Sequence, residues 1–174
     1  MSQTLELSKW LNATEQDALA RVLCLCRERD ARNALMIELA WKCGARASEL
    51  LAIEPGDLND VYRTVRIRGL KGSDSRDVAL NKDLYARLRA HANSAEQGGR
   101  LFPIAYRRLE QIWRDYRPVA KTFHSLRHTF AVELYQKTKD ILKVKRALGH
   151  RSLANTMIYT TVVYDPRELM RDAL

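Results

Sequence analysis

One stretch of the chain restricts the fold more than any other: residues 31–44, ARNALMIELAWKCG. A helix at the surface of a globular protein shows apolar side chains on one face and polar side chains on the other. Here the apolar residues follow one another too continuously for that pattern; they are Ala34, Leu35, Ile37, Leu39, Ala40 and Trp41. The stretch therefore predicts a buried helix that ends at Gly44.

Helical periodicity dominates the rest of the chain. The first helix is expected to begin at Thr14, with Asp17 three residues further on as its capping partner. A terminal helix is expected in residues 165–174, with Pro166 in its first turn. Further helices are predicted in residues 45–53, 82–92, 106–117, 124–138, 140–148 and 153–161.

A change of pattern marks the one region that does not look helical. Residues 64–69 (TVRIRG) and 76–80 (RDVAL) alternate polar with apolar side chains, and the intervening LKGSDS is typical of a turn. This pattern predicts an antiparallel β-hairpin. A chain of 174 residues has room for one full hydrophobic core. We therefore expect an α+β fold that is mainly helical, with a small antiparallel sheet, as a single domain over residues 1–174.

The net charge of the chain indicates its partner. Thirty Lys and Arg residues against 21 Asp and Glu residues give a formal net charge of +9 at pH 7. This balance favours a polyanion, with nucleic acid ahead of an acidic membrane, over a protein that is merely basic and soluble. No apolar stretch approaches the roughly 20 residues of a membrane span, and the first residues lack the pattern of a signal peptide. We expect a cytoplasmic protein associated with the nucleoid.

Cysteine and histidine are too few and too scattered to predict a dedicated metal site. Cys24 and Cys26 are one residue apart, which is not a zinc-binding spacing, and no histidine lies close to them in sequence. Together with Cys43 they are interpreted as reduced thiols in the core. We expect no metal and no other cofactor.

Residues 123–131, FHSLRHTFA, combine core-forming side chains with basic ones. In a helix at about 100° per residue, Leu126 lies on the buried face and Arg127 lies half-buried on its shoulder, with His124 one turn back. A half-buried guanidinium needs a negative partner. That partner is either an internal carboxylate or a phosphate bound jointly by Arg127 and His124. His128 is interpreted as a polar flank of the helix.

Four other residues gain significance only in combination. Arg46 starts a helix just after a glycine, His150 follows another glycine, Lys71 lies at the tip of the hairpin, and Tyr159 comes nine residues after His150. Taken singly, they are explained as a surface arginine, a capping histidine, a solvated turn lysine and a core tyrosine. Together with Arg127 they form a set of anion-binding and nucleophilic groups, which ordinary structural roles explain poorly.

The segments that carry these residues resemble the signature motifs of the tyrosine recombinases, the phage integrase family. The segments are GARASELLAI (44–53), LKGSDSRDVAL (70–80), HSLRHTFA (124–131) and LGHRSLANTMIYT (148–160), and they match in order and spacing. The resemblance covers nearly the whole chain, from about Leu7 onward. It implies a site-specific DNA recombinase, an enzyme that cleaves and rejoins strands in integration, excision or inversion.

The resemblance also implies a role for each residue. Arg46 and Arg127 are the two arginines that clamp the scissile phosphate, and Tyr159 is the nucleophile that forms a 3′-phosphotyrosyl bond. Lys71 is the general acid that protonates the leaving 5′-oxygen. His124 is the proton acceptor or a phosphate ligand. Because two arginines stabilise the phosphate charge by themselves, this chemistry needs no metal.

Further residues have supporting roles in the same pattern. His150 is another hydrogen-bond donor to the phosphate, and Glu49 is a carboxylate that orients the neighbouring basic groups. Tyr164 is the other tyrosine nearby, but its offset from His150 does not fit the spacing of the family. Several basic residues near the motifs either contact flanking phosphates of the DNA or form a solvated surface: Lys121, Lys143, Lys145, Arg146 and Arg151.

Members of the family usually carry a separate N-terminal helical domain that grips the other side of the duplex, and this sequence lacks it. The chain is therefore expected to be a small stand-alone recombinase or the catalytic fragment of a longer one. The implied partners are double-stranded DNA, accessory DNA-bending proteins, and further copies of the chain in a tetramer. Residues 165–174 would join those copies, unless that helix packs on its own domain. Two other functions stay open: a DNA-binding regulator that does not cleave, and a type IB topoisomerase-like enzyme.

Overall fold

The computed structural model describes residues 9–70, 72–94 and 99–160. Its helices are α1 (Ala13–Cys26), α2 (Ala31–Cys43), α3 (Ala47–Leu50), α4 (Lys82–Asn93), α5 (Tyr106–Tyr116), α6 (Ser125–Thr138), α7 (Ile141–Leu148) and α8 (Ala154–Met157). Its strands are β1 (Leu58–Asn59), β2 (Thr64–Ile67) and β3 (Arg76–Ala79), and a 3₁₀ turn at Pro55–Asp57 precedes β1.

Helix α2 is the centre of the fold. Ten of its thirteen residues are buried, and it packs against α1, α4 and α6, which confirms the buried helix that the sequence predicts. The helix ends at Gly44, which has a φ of 61°. A side chain there would be strained, and its Cβ would lie 2.4 Å from Cδ1 of Phe130. Only glycine therefore lets α2 end this close to α6.

Helix α1 begins earlier than predicted. Its N-cap is Asn12, whose side chain accepts a hydrogen bond from the Glu15 backbone N–H, while the Glu15 carboxylate accepts one from the Asn12 backbone N–H. This reciprocal pair is a capping box. The prediction of Thr14 with Asp17 was wrong, because the same spacing of residue types occurs two residues upstream and the structure uses that one.

A three-stranded antiparallel sheet with strand order β1-β2-β3 lies between α3 and α4 in sequence. Strands β2 and β3 form the predicted hairpin, with Val65 opposite Val78 and Ile67 opposite Arg76. Strand β1 was not predicted from the sequence, because two residues are too few to show an alternating pattern. Strand β1 extends the sheet on the side of β2 away from β3.

The fold is the mainly helical α+β architecture that the sequence predicts. Helices α4, α5, α6 and α7 lie where their patterns place them, within one or two residues. The terminal helix predicted in residues 165–174, with Pro166, lies outside the described residues. Within the part of the chain that the structure describes, no helix is both long and apolar enough to cross a membrane.

The described side chains pack into two apolar clusters. The larger one surrounds α2, and the smaller one joins α6, α7 and α8 through residues that include Trp10, Val132, Leu148 and Tyr159. The three cysteines are free thiols, and Cys43 is buried. Cys24 is exposed, so its assignment to the core was wrong.

Candidate active site

The guanidinium of Arg127 is at the centre of the site, and only 1% of this residue is exposed. Its Nη1 donates to the Gly44 carbonyl at 2.6 Å, and its Nη2 donates to the Leu148 carbonyl at 2.7 Å. These carbonyls lie at the C-terminal ends of α2 and α7, where the helix dipoles concentrate negative charge. Arg127 is therefore buried more deeply than its position on the helical wheel predicts, and it fixes two helix ends to α6.

Among the residues that the structure describes, Glu49 is the one carboxylate in contact with this guanidinium, and it binds several cationic groups at once. Its Oε1 accepts from Nη1 of Arg46 at 2.9 Å and from the Ser73 hydroxyl at 2.8 Å. Its Oε2 accepts from the Arg46 backbone N–H at 3.0 Å and from Nη2 of Arg76 at 2.9 Å. Nη1 of Arg127 lies 3.6 Å from the same oxygen. Glu49 therefore contacts three guanidinium groups, and its role in orienting them stays a prediction.

The charges of this cluster do not cancel. Burial alone would raise the pKa of Glu49, but the hydrogen bond and charge of Arg76, with the donors of Arg46 and Ser73, lower it to about 2. Glu49 is therefore ionised at pH 7, and its single negative charge faces the guanidinium groups of Arg46, Arg76 and Arg127. The cluster keeps a surplus of two positive charges, which favours the binding of an anion.

Two of the three guanidinium groups have donors left for such an anion. The side chain of Arg46 is 35% exposed, at the N-terminus of α3. Arg76 is buried, and among the described residues its Nε and Nη1 have no hydrogen-bond partner. Arg76 was not predicted from the sequence, although the alternation of β3 places it on the same side of the strand as Val78. A basic residue on that side is the signal that could have revealed it.

The turn of the hairpin, between β2 and β3, is attached to the α7–α8 junction, where His150 lies. Ser73 forms an isolated antiparallel bridge with His150, and the Asp74 N–H donates to the Gly149 carbonyl at 2.9 Å. Nδ1 of His150 lies 3.0 Å from the Thr156 hydroxyl. The bridge brings the hairpin close to the arginine cluster. Lys71, the predicted general acid, lies outside the described residues.

Tyr159, the predicted nucleophile, has its ring in the smaller apolar cluster and is 1% exposed. Its hydroxyl lies 3.0 Å from Nδ1 of His128. Burial raises the pKa of Tyr159 to about 12, although the charges of Arg127 and Arg46 act in the opposite direction. The tyrosine is therefore a neutral phenol at pH 7, and it needs a proton acceptor before it can attack.

The imidazoles around the tyrosine are neutral as well. Burial, with the charges of His124 and Arg127, lowers the pKa of His128 to about 4, and burial, with Arg127 and Arg46, lowers the pKa of His150 to about 4. His124 lies at the start of α6 and is partly accessible to solvent. Partial desolvation and the charge of Arg127 lower its pKa as well. His128, interpreted from the sequence as a polar flank, is half-buried and bonded to Tyr159 instead.

The five basic residues that are candidates for contacts with the DNA backbone differ in their surroundings. Lys121 points inward: its Nζ lies 2.6 Å from the Trp10 carbonyl and 2.6 Å from a Glu15 carboxylate oxygen. The other four lie on α7 or just after it. Lys143 and Arg151 form exposed ion pairs with acidic neighbours, Lys145 is half-buried and Arg146 is exposed.

The described side chains of the site form one electrostatic unit. Arg46, Arg127 and Glu49 are in direct contact, and the charges of the two arginines act on both His150 and Tyr159. Among the described residues, no three His, Cys, Asp or Glu side chains converge as metal ligands would. The arrangement can bind a phosphate through guanidinium groups, whose charges also act on the Tyr159 hydroxyl.

The chain is similar in sequence to proteins of one known family. The sequence profile of the phage integrase family matches residues 9–165. The tyrosine recombinase XerC of Agrobacterium fabrum is 36% identical over 147 residues, which cover 76% of this chain and 46% of that relative. This chain spans about half the length of the curated relatives that it matches.

Solved structures with the same fold are also similar in sequence. The XerH site-specific recombinase bound to its difH substrate, in a pre-cleavage complex, is 28% identical with a TM-score of 0.72, over 97% of this chain and 55% of that one. The catalytic domain of the bacteriophage HP1 integrase is 26% identical with a TM-score of 0.67, over 89% of this chain and 88% of that one.

Proposed function

Because this chain belongs to the phage integrase family, we propose that it is the catalytic domain of a site-specific recombinase, which cleaves and rejoins DNA strands through a 3′-phosphotyrosyl bond. The observation that carries this proposal is the surplus of two positive charges around Glu49, close enough to Tyr159 to act on its hydroxyl. A phosphate placed there meets its clamp and its nucleophile together.

The arginine cluster supplies the charge stabilisation of the reaction. A phosphodiester resists attack because its non-bridging oxygens are negative, and these oxygens carry redistributed charge in the pentavalent transition state. The exposed part of Arg46 binds those oxygens together with Nε and Nη1 of Arg76, which have no partner among the described residues. Arg127 adds its positive charge, and Glu49 keeps the guanidinium groups in position. Fixed donors of this kind are worth several kcal/mol because they need no reorganisation during the reaction.

The tyrosine supplies the covalent step. The Tyr159 oxygen forms a bond to phosphorus, and the bond between phosphorus and the 5′-oxygen breaks. Lys71, on the hairpin, gives a proton to that leaving oxygen. His124 and His150 are phosphate ligands. The phosphotyrosyl ester conserves the energy of the broken bond, so a 5′-hydroxyl can reverse the step and rejoin the DNA without ATP.

The partner in this proposal is double-stranded DNA, which the net charge of +9 favours. The similar XerH recombinase was solved bound to its difH substrate. Strand exchange between two duplexes needs one protomer for each cut strand, and therefore a tetramer, held together through residues 165–174. We also propose that accessory DNA-bending proteins take part in the reaction. The protein acts in the cytoplasm, at the nucleoid.

The substitution Tyr159→Phe tests the proposal. Duplexes that bind the variant are selected from random-sequence DNA and are then nicked next to each backbone position in turn, so that a cleaved end diffuses away and an adduct accumulates. We expect the wild-type protein to form a covalent adduct, resistant to denaturation, on one of these duplexes, and the variant to bind equally well without forming one.

Tyr164→Phe is the matched control, because it removes the tyrosine that follows Tyr159 in sequence and should leave the adduct in place. An adduct with Tyr159→Phe would contradict the assignment of the nucleophile. No adduct with the wild-type protein would favour a DNA-binding regulator. Relaxation of plasmids without any selected site would favour a topoisomerase-like activity.

A further inference from the structure

The hydrogen bond between Tyr159 and His128 has a defined direction. Tyr159 is almost fully buried, and its hydroxyl lies 3.0 Å from Nδ1 of His128. If this nitrogen carried the proton, the phenolic hydrogen would be left buried without an acceptor among the described residues, which is costly. The tyrosine therefore donates and Nδ1 accepts, so the hydrogen of the neutral imidazole is on Nε2.

From this bond we propose that His128 is a catalytic residue, whose Nδ1 takes the phenolic proton while Tyr159 attacks the phosphate. The inference rests on the proposed function and assigns one further group to it. As the bond from the tyrosine oxygen to phosphorus forms, the O–H bond breaks and the proton moves to Nδ1, which gives an imidazolium. When a 5′-hydroxyl rejoins the strand, His128 returns the proton to the departing phenolate, so protons balance over the cycle.

The geometry assigns this step to His128 rather than to His124. The ring of His128 is close to both rings, with its centroid 5.8 Å from that of Tyr159 and 4.7 Å from that of His124. The structure describes no hydrogen bond from His124 to Tyr159 within the described residues. His124 is exposed at the first turn of α6, where a phosphate can reach it. His128 is therefore placed at the nucleophile, and His124 is placed where the phosphate enters the site.

The charges around His128 keep it ready to accept a proton. The groups that face it are His124 and Arg127 on its own helix, Lys9 before α1, His150 after α7, and Tyr159 after α8. None of them is an anion at pH 7, and with burial they lower the pKa of His128 to about 4, so the imidazole is neutral at pH 7. A bound phosphate adds a negative charge nearby and raises the basicity of the imidazole. The acceptor thus becomes stronger when the substrate is present.

The test is the pH dependence of adduct formation by His128→Asn. The Asn side-chain oxygen takes the place of Nδ1 and still accepts the hydrogen bond, but it cannot hold the proton. On the selected nicked duplex, under single-turnover conditions, we expect a wild-type rate that is nearly constant between about pH 6 and 8. The variant should react about 10² to 10³ times more slowly at pH 7. Its rate should rise up to about tenfold per pH unit, because only the ionised phenol can attack.

A substitution that only disturbs the structure would lower the rate of adduct formation by the same factor at every pH. His124→Asn is the matched comparison: as the loss of a phosphate ligand, it should give such a parallel profile. The affinity for the uncleaved duplex should stay within about twofold for His128→Asn. A duplex with sulfur in place of the bridging 5′-oxygen needs no general acid, so it should rescue Lys71→Ala and leave the defect of His128→Asn in place.

The outcomes separate the inference from the function on which it rests. If the wild-type protein forms an adduct and His128→Asn has the same rate, or a profile parallel to the wild type, His128 is not the proton acceptor. If the rising profile belongs to His124→Asn instead, the acceptor is His124 and the inference is wrong. If the wild-type protein forms no adduct on any duplex, the proposed function fails and the inference fails with it.

Discussion

Glu49 and Arg127 show how buried charges in this site depend on one another. Arg127 is held by two helix-end carbonyls, and Glu49 is held by the donors of Arg46, Arg76 and Ser73. Replacing a buried ion pair as a whole by apolar residues is often neutral for stability, whereas the removal of one partner leaves an uncompensated charge. The loss of Glu49 would leave three guanidinium groups facing one another at close range.

We therefore expect Glu49→Gln to lower the free energy of unfolding by about 3 kcal/mol at pH 7. The pKa of Glu49 is about 2 in the folded protein, below its ordinary value of 4.5. Its stabilisation is therefore complete above pH 4.5 and is lost as the pH falls towards 2. Urea unfolding at pH 7 and at pH 3 should show a smaller difference between wild type and variant at the lower pH.

Glu54→Gln is the control for this measurement, because Glu54 forms an exposed ion pair with Arg68. Surface pairs contribute little to stability, so its unfolding midpoint should stay close to that of the wild type. Equal midpoints for Glu49→Gln and wild-type protein at pH 7 would show that the guanidinium groups do not need this carboxylate.

At the scale of elements, the hairpin and α7 act as one unit because Gly149 lets them come together. Gly149 has a φ of 66°, and a Cβ there would lie 2.4 Å from the Asp74 carbonyl oxygen. That oxygen belongs to the backbone in the turn of the hairpin, so it cannot move aside as a side chain would. The position of His150 relative to the arginines depends on this contact.

Gly149→Ala should therefore separate the hairpin from α7. We expect the free energy of unfolding to fall by about 2 kcal/mol or more, from the strained backbone and the clash together. The amide of Asp74, which donates to the Gly149 carbonyl, should exchange its hydrogen faster. Hydrogen exchange measured by NMR would detect this local change separately from the global loss of stability.

Two other glycines distinguish the effect of backbone strain from the effect of the clash with Asp74. Gly72 has a φ of 81° but has no atom within 4 Å of a Cβ, so Gly72→Ala should show the backbone strain alone. Gly56 has neither a positive φ nor a close neighbour, and Gly56→Ala should be nearly neutral. If all three variants lose the same stability, the contact between Gly149 and Asp74 has no special importance.

Local patterns predicted the elements of this fold better than their contacts. The periodicity of α6 correctly placed Leu126 on the buried face, because that face is set by neighbours three and four residues away. The same pattern left Arg127 half-buried, since the carbonyls that bury it belong to Gly44 and Leu148, which are 83 and 21 residues away in sequence. The bond from His128 to Tyr159 was missed for the same reason.

At the scale of the whole molecule, the surplus of positive charge is divided between the interior and the surface. Arg127 and Arg76 are buried within the site, whereas Arg146 is exposed on α7. The carbonyl at the end of α7 binds Arg127, so this helix joins the site to the surface that carries Arg146. A duplex bound at the site would meet α7 and its exposed basic residues.

The salt dependence of DNA affinity distinguishes basic residues that contact phosphates from those that support the fold. Each phosphate contact contributes a slope of about −0.9 to the logarithm of the association constant against the logarithm of the salt concentration. Arg146→Gln should make the slope less negative by about 0.9 without a change in stability. Lys121→Gln should leave the slope unchanged and lower the stability, because Nζ of Lys121 binds the Trp10 carbonyl and Glu15. Fluorescence anisotropy of a labelled duplex between 50 and 300 mM salt, with urea unfolding of both variants, gives the two quantities. The opposite pattern would place Lys121 at the DNA and Arg146 away from it.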